Sequence, residues 1–215
     1  MKRIRKKLWV SVGFLTAFIL WTVAVCAVDV QPVGPGGSSV GLAGINQFIH
    51  KLTGVHFILY HITDWLGLMP IAVCLVFAIM GLVQWIRSKD IRKVDFSLLV
   101  LGGFYIITMA VYLLFEYVEI NYRPVLINGY LEASYPSSTT LLVLCVMPTA
   151  ILQCKHRVRN KLLRDCIHAV IIGFMAFMVI GRLISGVHWF SDIVGGVLLS
   201  TGLVMLYNTV SYVKR

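Results

Sequence analysis

Six long apolar segments, separated by short charged connections, constrain the fold of this chain more than any other feature of its sequence. They lie near residues 8–28, 69–86, 96–115, 139–154, 166–184 and 190–209. An α-helix of about 20 apolar residues crosses the hydrocarbon core of a bilayer and satisfies its own backbone hydrogen bonds there. The pattern therefore predicts an all-α, polytopic membrane protein with six transmembrane helices.

The length of the chain leaves no room for a soluble domain beside six spans, so residues 1–215 are predicted to form one integral-membrane domain. Hydrophobic residues make up 59% of the chain and charged residues 13%, which is too apolar for a soluble protein. The net charge of +10 comes from basic residues between apolar segments, so we expect membrane lipids as partners and no nucleic acid. No sequence feature indicates an oligomeric state.

The basic residues also predict the orientation of the helices. Sixteen of the 19 Lys and Arg residues lie in the two ends of the chain and in the second-to-third and fourth-to-fifth connections, with Lys214 and Arg215 at the tail. Because such connections stay in the cytoplasm, both termini are predicted to be cytoplasmic, in a multi-pass protein of the inner or plasma membrane. The three exceptions, Lys51, Arg123 and Arg182, then lie on the extracytoplasmic side.

The first apolar segment has two interpretations. Its basic start and the sequence Val25-Cys26-Ala27 are typical of a signal peptide that is cleaved near Ala27. An apolar run of about 20 residues instead favours a retained membrane anchor. The topology of the later spans is the same in both cases.

The segment from Leu42 to Leu68 is predicted to be an amphipathic helix between the first two spans. Its apolar residues recur at helical spacing, with Tyr60, His61 and Asp64 among its polar residues. Such a helix lies in the outer membrane interface, where it covers the site described below. We interpret its polar residues as the solvated face of this helix rather than as catalytic groups.

Cysteines and histidines give no sign of a metal site or a disulfide framework. The five cysteines lie in or at the ends of apolar segments without a CxxC pair, and the six histidines are scattered. The sequence therefore predicts neither a metal nor another cofactor.

Two polar connections on the extracytoplasmic side carry the residues that predict chemistry. His188 and Asp192 are four residues apart at the start of a helix, so they share one face. The carboxylate can accept a hydrogen bond from one imidazole nitrogen, which leaves the other nitrogen free to attack an electrophile. Arg182 and Arg123 supply planar, permanently charged donors that suit phosphate oxygens. This combination predicts a phosphoryl-transfer site.

A third element is the sequence Pro136-Ser137-Ser138-Thr139, which precedes the fourth span. Its hydroxyl groups and the free backbone N–H groups of a helix N-terminus favour a bound anion. We therefore expect Ser137, Ser138 and Thr139 to contribute to phosphate binding, with no metal required.

These residues resemble the type 2 phosphatidic acid phosphatase superfamily, whose pattern reads Lys-x6-Arg-Pro, Pro-Ser-Gly-His and Ser-Arg-x5-His-x3-Asp. The corresponding parts of this chain run from Glu116 to Pro124, from Pro136 to Thr139 and from Gly181 to Asp192, all within residues 116–192. The resemblance covers about residues 69 to 209. It implies a six-helix lipid phosphatase with His188 as nucleophile, Asp192 as its partner, and Arg123 and Arg182 as phosphate ligands.

Three positions depart from this pattern: Glu116 replaces its lysine, Thr139 its second-part histidine, and Gly181 its serine. A threonine hydroxyl is too weak an acid to protonate a leaving oxygen near neutral pH. Three hypotheses follow. In the first, the substrate is a lipid diphosphate, whose leaving group needs little protonation. In the second, Glu116 or Glu119 is kept protonated and replaces the missing acid. In the third, the site binds lipid phosphate without hydrolysing it.

The expected activity is therefore that of a membrane lipid phosphatase acting on a phosphorylated or diphosphorylated lipid through a phosphohistidine. A phosphotransferase remains an alternative, because its first half-reaction is the same and only the acceptor differs. A non-catalytic membrane protein that binds lipid phosphate is the second alternative.

Overall fold

In the computed structural model, residues 2–213 are described, and they form eight α-helices with no extended strand. The helices are α1 (Lys2–Ala27), α2 (Ala43–Thr53), α3 (Phe57–Leu66), α4 (Met69–Ser88), α5 (Phe96–Tyr117), α6 (Ser138–Arg157), α7 (Lys161–Ile184) and α8 (Phe190–Val213). Six helical stretches within these residues are long and apolar enough to cross a membrane. The predicted all-α fold with six spans is confirmed. Lys214 and Arg215 lie outside the described residues.

Several spans extend beyond the apolar segments that predicted them. Helix α7 begins at Lys161, where the sequence predicted a start near residue 166, because the side chain of Asn160 accepts the backbone N–H of Leu163 at 3.1 Å and caps the helix. Asp95 caps α5 in the same way by accepting from the N–H of Ser97. Capping groups, rather than the loss of hydrophobicity, decide where these helices begin.

The amphipathic segment between the first two spans is two helices, α2 and α3, so the prediction of a single helix from Leu42 to Leu68 is wrong in this respect. The helix is interrupted between them, where the N–H of His56 donates to the carbonyl oxygen of Ser185 at 2.9 Å instead of to a helical partner. Both helices still expose apolar side chains, among them Phe48 and Ile58. The last turn of α3 leads almost directly into α4, so that Phe57–Ser88 is one apolar stretch.

Helices α6 and α8 occupy the centre of the bundle. One apolar core joins α1, α5, α6 and α8 through residues such as Phe18, Phe104, Leu141 and Leu203. A second core joins α4, α6 and α7 around Met178 and neighbouring side chains. The sequences of α6 and α8 are the least apolar of the six spans, since half of their residues face protein instead of lipid.

Helix α1 is packed into this bundle rather than set apart from it. Ser11 Oγ donates to the carbonyl oxygen of Gly202 at 2.7 Å, and Trp21 Nε1 donates to that of Ser191 at 3.0 Å. Both acceptors belong to α8. Polar contacts as well as the shared apolar core therefore hold α1 against α8.

Asn46 connects α2 to the start of α8 through hydrogen bonds. Its buried amide donates to the carbonyl oxygen of Gly41 and to Ser191 Oγ, and its Oδ1 accepts the backbone N–H of Ser191 at 3.0 Å. Because Ser191 precedes Asp192, this side chain fixes the backbone at the candidate site.

Replacing Asn46 by Ala should therefore lower the free energy of unfolding. The substitution leaves the N–H of Ser191 and the carbonyl of Gly41 buried without their partner, at a cost of about 1–3 kcal/mol. Thermal unfolding of the purified protein in detergent measures the effect, with Gln47→Ala at the adjacent, half-buried position as the control. Equal unfolding temperatures for the two variants would contradict this role of Asn46.

Candidate active site

His188 and Asp192 lie together between the end of α7 and the first turn of α8. They are 3% and 0% exposed, and His188 Nδ1 is 3.6 Å from Asp192 Oδ2, just beyond hydrogen-bond distance. The same carboxylate oxygen accepts the backbone N–H of Trp189 at 2.9 Å. Asp192 is thus held in place as a cap of α8, and a shift of a few tenths of an ångström would complete its bond to the imidazole.

Gly186 shapes the turn that carries His188. Its φ of +69° is a conformation that favours glycine, and an added Cβ would lie 1.9 Å from the carbonyl oxygen of Gly54. The turn can therefore pack directly against the break between α2 and α3. Trp189 Nε1 donates to the carbonyl oxygen of Tyr122 at 2.7 Å, which joins the turn to the segment that carries Arg123.

The imidazole of His188 is kept neutral by its surroundings. Burial lowers its pKa well below the ordinary value, the charges of Arg123 and Arg182 lower it further, and the backbone of Ser134 acts weakly in the opposite direction. Neither ring nitrogen forms a well-aligned hydrogen bond, although the backbone of Ser134 lies close enough to act on the ring. A neutral, unpartnered imidazole has a lone pair available for nucleophilic attack.

Arg182, in the last turn of α7, is 1% exposed. Nη1 donates to Thr63 Oγ1 at 3.4 Å, and Nη2 lies 3.5 Å from Asp64 Oδ1, so both contacts are long. Its buried Nε has no partner. The guanidinium therefore retains donor capacity for an anion.

Arg123 lies in the connection between α5 and α6 and is 9% exposed. Its backbone N–H donates to the carbonyl oxygen of Glu132, and its Nε lies 3.0 Å from Glu132 Oε2 without hydrogen-bond alignment. Its buried Nη1 has no partner. Glu119 lies four residues before Arg123, but its carboxylate accepts a hydrogen bond from the Tyr122 hydroxyl group and not from the arginine.

The three hydroxyl residues before and in the first turn of α6 have different environments. Ser137 is fully buried; its N–H donates to the carbonyl oxygen of Asp192 at 3.1 Å, and its Oγ accepts from Thr140. Ser138 lines a recess together with His188. The methyl group of Thr139 packs against Gly67, in the turn between α3 and α4. The structure thus brings Ser138 towards the imidazole and places Thr139 beside the turn that follows α3.

The recess beside His188 also contains Glu116. Its other polar lining comes from Ser134 and Ser138, and Tyr112 lies one helical turn before Glu116. Of the two carboxylates predicted as alternative acids, Glu116 is the one that shares a recess with the imidazole. Across residues 2–213, no three His, Cys, Asp or Glu side chains are grouped as ligands for a metal.

Glu132 is not among the residues that the sequence predicts for the site, and the sequence pattern predicts Tyr60 and Asp64 on the solvated face of an interfacial helix. In the structure, Tyr60 and Asp64 of α3 contact the arginines instead. The spacing of Tyr60, Thr63 and Asp64 places them on one helical face, which is a signal present in the sequence. Nothing in the sequence alone shows that this face packs on α7.

Comparison with known proteins identifies a family and a solved structure with a similar fold. A family model described as the PAP2 superfamily matches residues 53–215. No curated protein sequence matches the chain. A similar solved structure is described as the first transmembrane PAP2 type phosphatidylglycerolphosphate phosphatase from Bacillus subtilis. It is 18% identical, the alignment covers 94% of this chain and 95% of that one, and the TM-score is 0.61. The likeness shows a shared fold.

Catalysis that needs a neutral His188 should be lost when the pH falls through the lowered pKa of this residue. The acidic limb of the pH profile of kcat/KM should thus lie below the ordinary histidine value of about 6.5. Arg123→Gln removes a positive neighbour, so the limb should move to higher pH, while kcat/KM falls about 10- to 100-fold through the lost charged hydrogen bond. Arg123→Lys, which keeps the charge, is the control. If the acidic limb of the Gln variant stays at the native pH, the charge of Arg123 does not lower the pKa of His188.

Proposed function

The chain belongs to the PAP2 superfamily, and from this premise we propose that it is a membrane lipid phosphatase that works through a phosphohistidine on the extracytoplasmic side. Family membership supports a phosphatase of lipid phosphates in general. The observation that carries the finer proposal is a buried imidazole with two unpartnered nitrogens, close to two arginines with unpartnered N–H groups.

In the proposed first step, His188 Nε2 attacks the phosphorus atom of the lipid phosphate. The bond between phosphorus and the leaving oxygen breaks, and the electron pair departs with that oxygen. Asp192 accepts a hydrogen bond from Nδ1–H, which stabilises the positive charge that develops on the ring. Arg123 and Arg182 donate to the equatorial oxygens of the transferred group.

In the second step, water attacks the phosphohistidine and the nitrogen–phosphorus bond breaks, with its electron pair returning to Nε2. Dihydrogen phosphate, which carries both protons of the water, is released, and neutral His188 is restored. A lipid or sugar hydroxyl in place of this water would make the protein a phosphotransferase. Both reactions use the same residues, so the nature of the acceptor alone separates them.

The proposed side of the membrane follows from charge and from helix directions. An even number of spans places both termini on the same side. The connections from α4 to α5 and from α6 to α7 carry clusters of basic residues, whereas His188 and Arg123 lie in connections at the opposite ends of these helices. The positive-inside rule then puts the termini in the cytoplasm and the site outside.

The environment of Thr139 favours a substrate whose leaving group needs little protonation. Its side chain packs against Gly67, and its hydroxyl is a poor acid, so an alkoxide leaving group would need another proton donor. A lipid diphosphate releases a phosphate anion that is stable without protonation. Glu116, in the recess beside His188, is the candidate acid for monophosphate lipids. A protein that binds lipid phosphate without turnover is the remaining candidate if neither route operates.

Phosphate release from a lipid panel tests the proposal. Purified protein in detergent should release phosphate from undecaprenyl diphosphate faster than from phosphatidate, and His188→Ala should reduce both rates by about 10³-fold or more. His168→Ala, on α7 near its cytoplasmic start, is the control for loss of a histidine. Activity that survives the His188 substitution would falsify the mechanism. A native protein that releases phosphate from no lipid would leave the binding alternative.

The role of Glu116 can be tested separately with a monophosphate lipid. A general acid must be protonated to act, so kcat/KM should fall as the pH rises, and Glu116→Gln should remove this dependence. Glu119→Gln is the matched control, because Glu119 bonds to Tyr122 instead. Identical pH profiles for the Glu116 variant and the native protein would exclude Glu116 as the acid.

A further inference from the structure

Tyr60 of α3 lies against both arginines of the candidate site, although it belongs to none of the three parts of the family pattern. The Cζ atom of Arg182 is 5.2 Å from the centroid of the Tyr60 ring, and that of Arg123 is 6.0 Å from it. All three side chains are buried. One aromatic ring therefore contacts two guanidinium groups in an environment with little water.

An aromatic ring suits this position because it attracts a cation without consuming its hydrogen-bond donors. The negative face of the ring interacts with the delocalised charge of a guanidinium group, most strongly where water is excluded. Arg182 Nε and Arg123 Nη1 remain unpartnered beside it. A carboxylate in the same place would hold the arginines equally close but would occupy the N–H groups that an anion needs.

The carboxylates near the site leave this arrangement intact. Asp64 lies 3.5 Å from one nitrogen of Arg182, and Glu132 lies 3.0 Å from one nitrogen of Arg123. Each contacts a different arginine, so neither links the two. Among the contacts of the described residues, the ring of Tyr60 is the one that the two guanidinium groups share.

The position of Tyr60 is fixed by close packing of α3 on α7. Gly181 stands where the family pattern has a serine, and a Cβ atom there would lie 2.9 Å from Cγ2 of Thr63. The absence of a side chain at Gly181 lets α3 approach, and Thr63 Oγ1 then accepts from Arg182. The departure at Gly181 thus allows the contact that brings Tyr60 to the arginines.

We propose that Tyr60 is a positioning residue that holds Arg123 and Arg182 side by side with N–H groups free for one phosphate group. The inference rests on the proposed function in that it concerns the same phosphate site. A purely structural role is the alternative, since Tyr60 also packs with Ile127 and Val187. Packing requires only an apolar side chain of similar size, whereas positioning requires an aromatic face.

Binding of inorganic phosphate to the full-length protein in detergent, measured by calorimetry at neutral pH, separates the two roles. Tyr60→Leu keeps an apolar side chain and should weaken phosphate binding about tenfold or more, because two desolvated cation–π contacts are lost. Tyr60→Phe keeps the ring and should retain the native affinity within a few fold. Tyr130→Leu, at an exposed tyrosine of the same connection as Arg123, should have no effect.

Equal phosphate affinity of the Leu variant and the native protein would overturn the proposal, and so would a native protein that binds no phosphate. If Tyr60→Leu does not fold, phenylalanines with increasing fluorine substitution at position 60 weaken the negative face at constant shape, and phosphate affinity should fall stepwise. Phosphate binding that depends on the ring, in a protein that hydrolyses no lipid, would support this inference while rejecting the proposed phosphatase.

Discussion

The burial of two guanidinium groups beside one imidazole is the constraint on which the rest of this site depends. Transfer of each cation from water into the protein costs on the order of several kcal/mol, and the two positive charges repel one another. Asp64 and Glu132 offset part of this cost by placing one carboxylate near each arginine. The remaining unpartnered N–H groups form a site whose charge is complementary to phosphate.

The same charges determine the protonation of His188, the proposed nucleophile. A buried histidine beside two permanent cations stays neutral, which is the form that can attack phosphorus. Substrate phosphate would bring negative charge next to the ring and so favour the positive imidazole that forms during the transfer. In the proposed mechanism, the arginines thus favour the neutral ring before substrate binds, and the substrate would change that balance during the transfer.

Helix ends make this arrangement possible within a membrane. His188 and Asp192 lie where α7 ends and α8 begins, and Ser138 begins α6. Backbone N–H groups at these positions have no partner within the helix, so the peptide N–H groups of Ser137 and Trp189 bond to Asp192. Helices α6 and α8 are also the central spans, so the site lies on the two helices that are most buried within the bundle.

The sequence by itself determined the six spans, the all-α class, and the proximity of His188 to Asp192, because hydropathy and helical spacing are local properties. It also identified Arg123 and Arg182 as charged residues in an apolar chain. Only the tertiary structure decided that the predicted interfacial segment breaks into α2 and α3, and that Tyr60 and Asp64 turn towards the arginines. These contacts join residues more than 60 positions apart in the sequence, and they depend on close packing at Gly181. Local sequence patterns carry no information about contacts between residues so far apart in the chain.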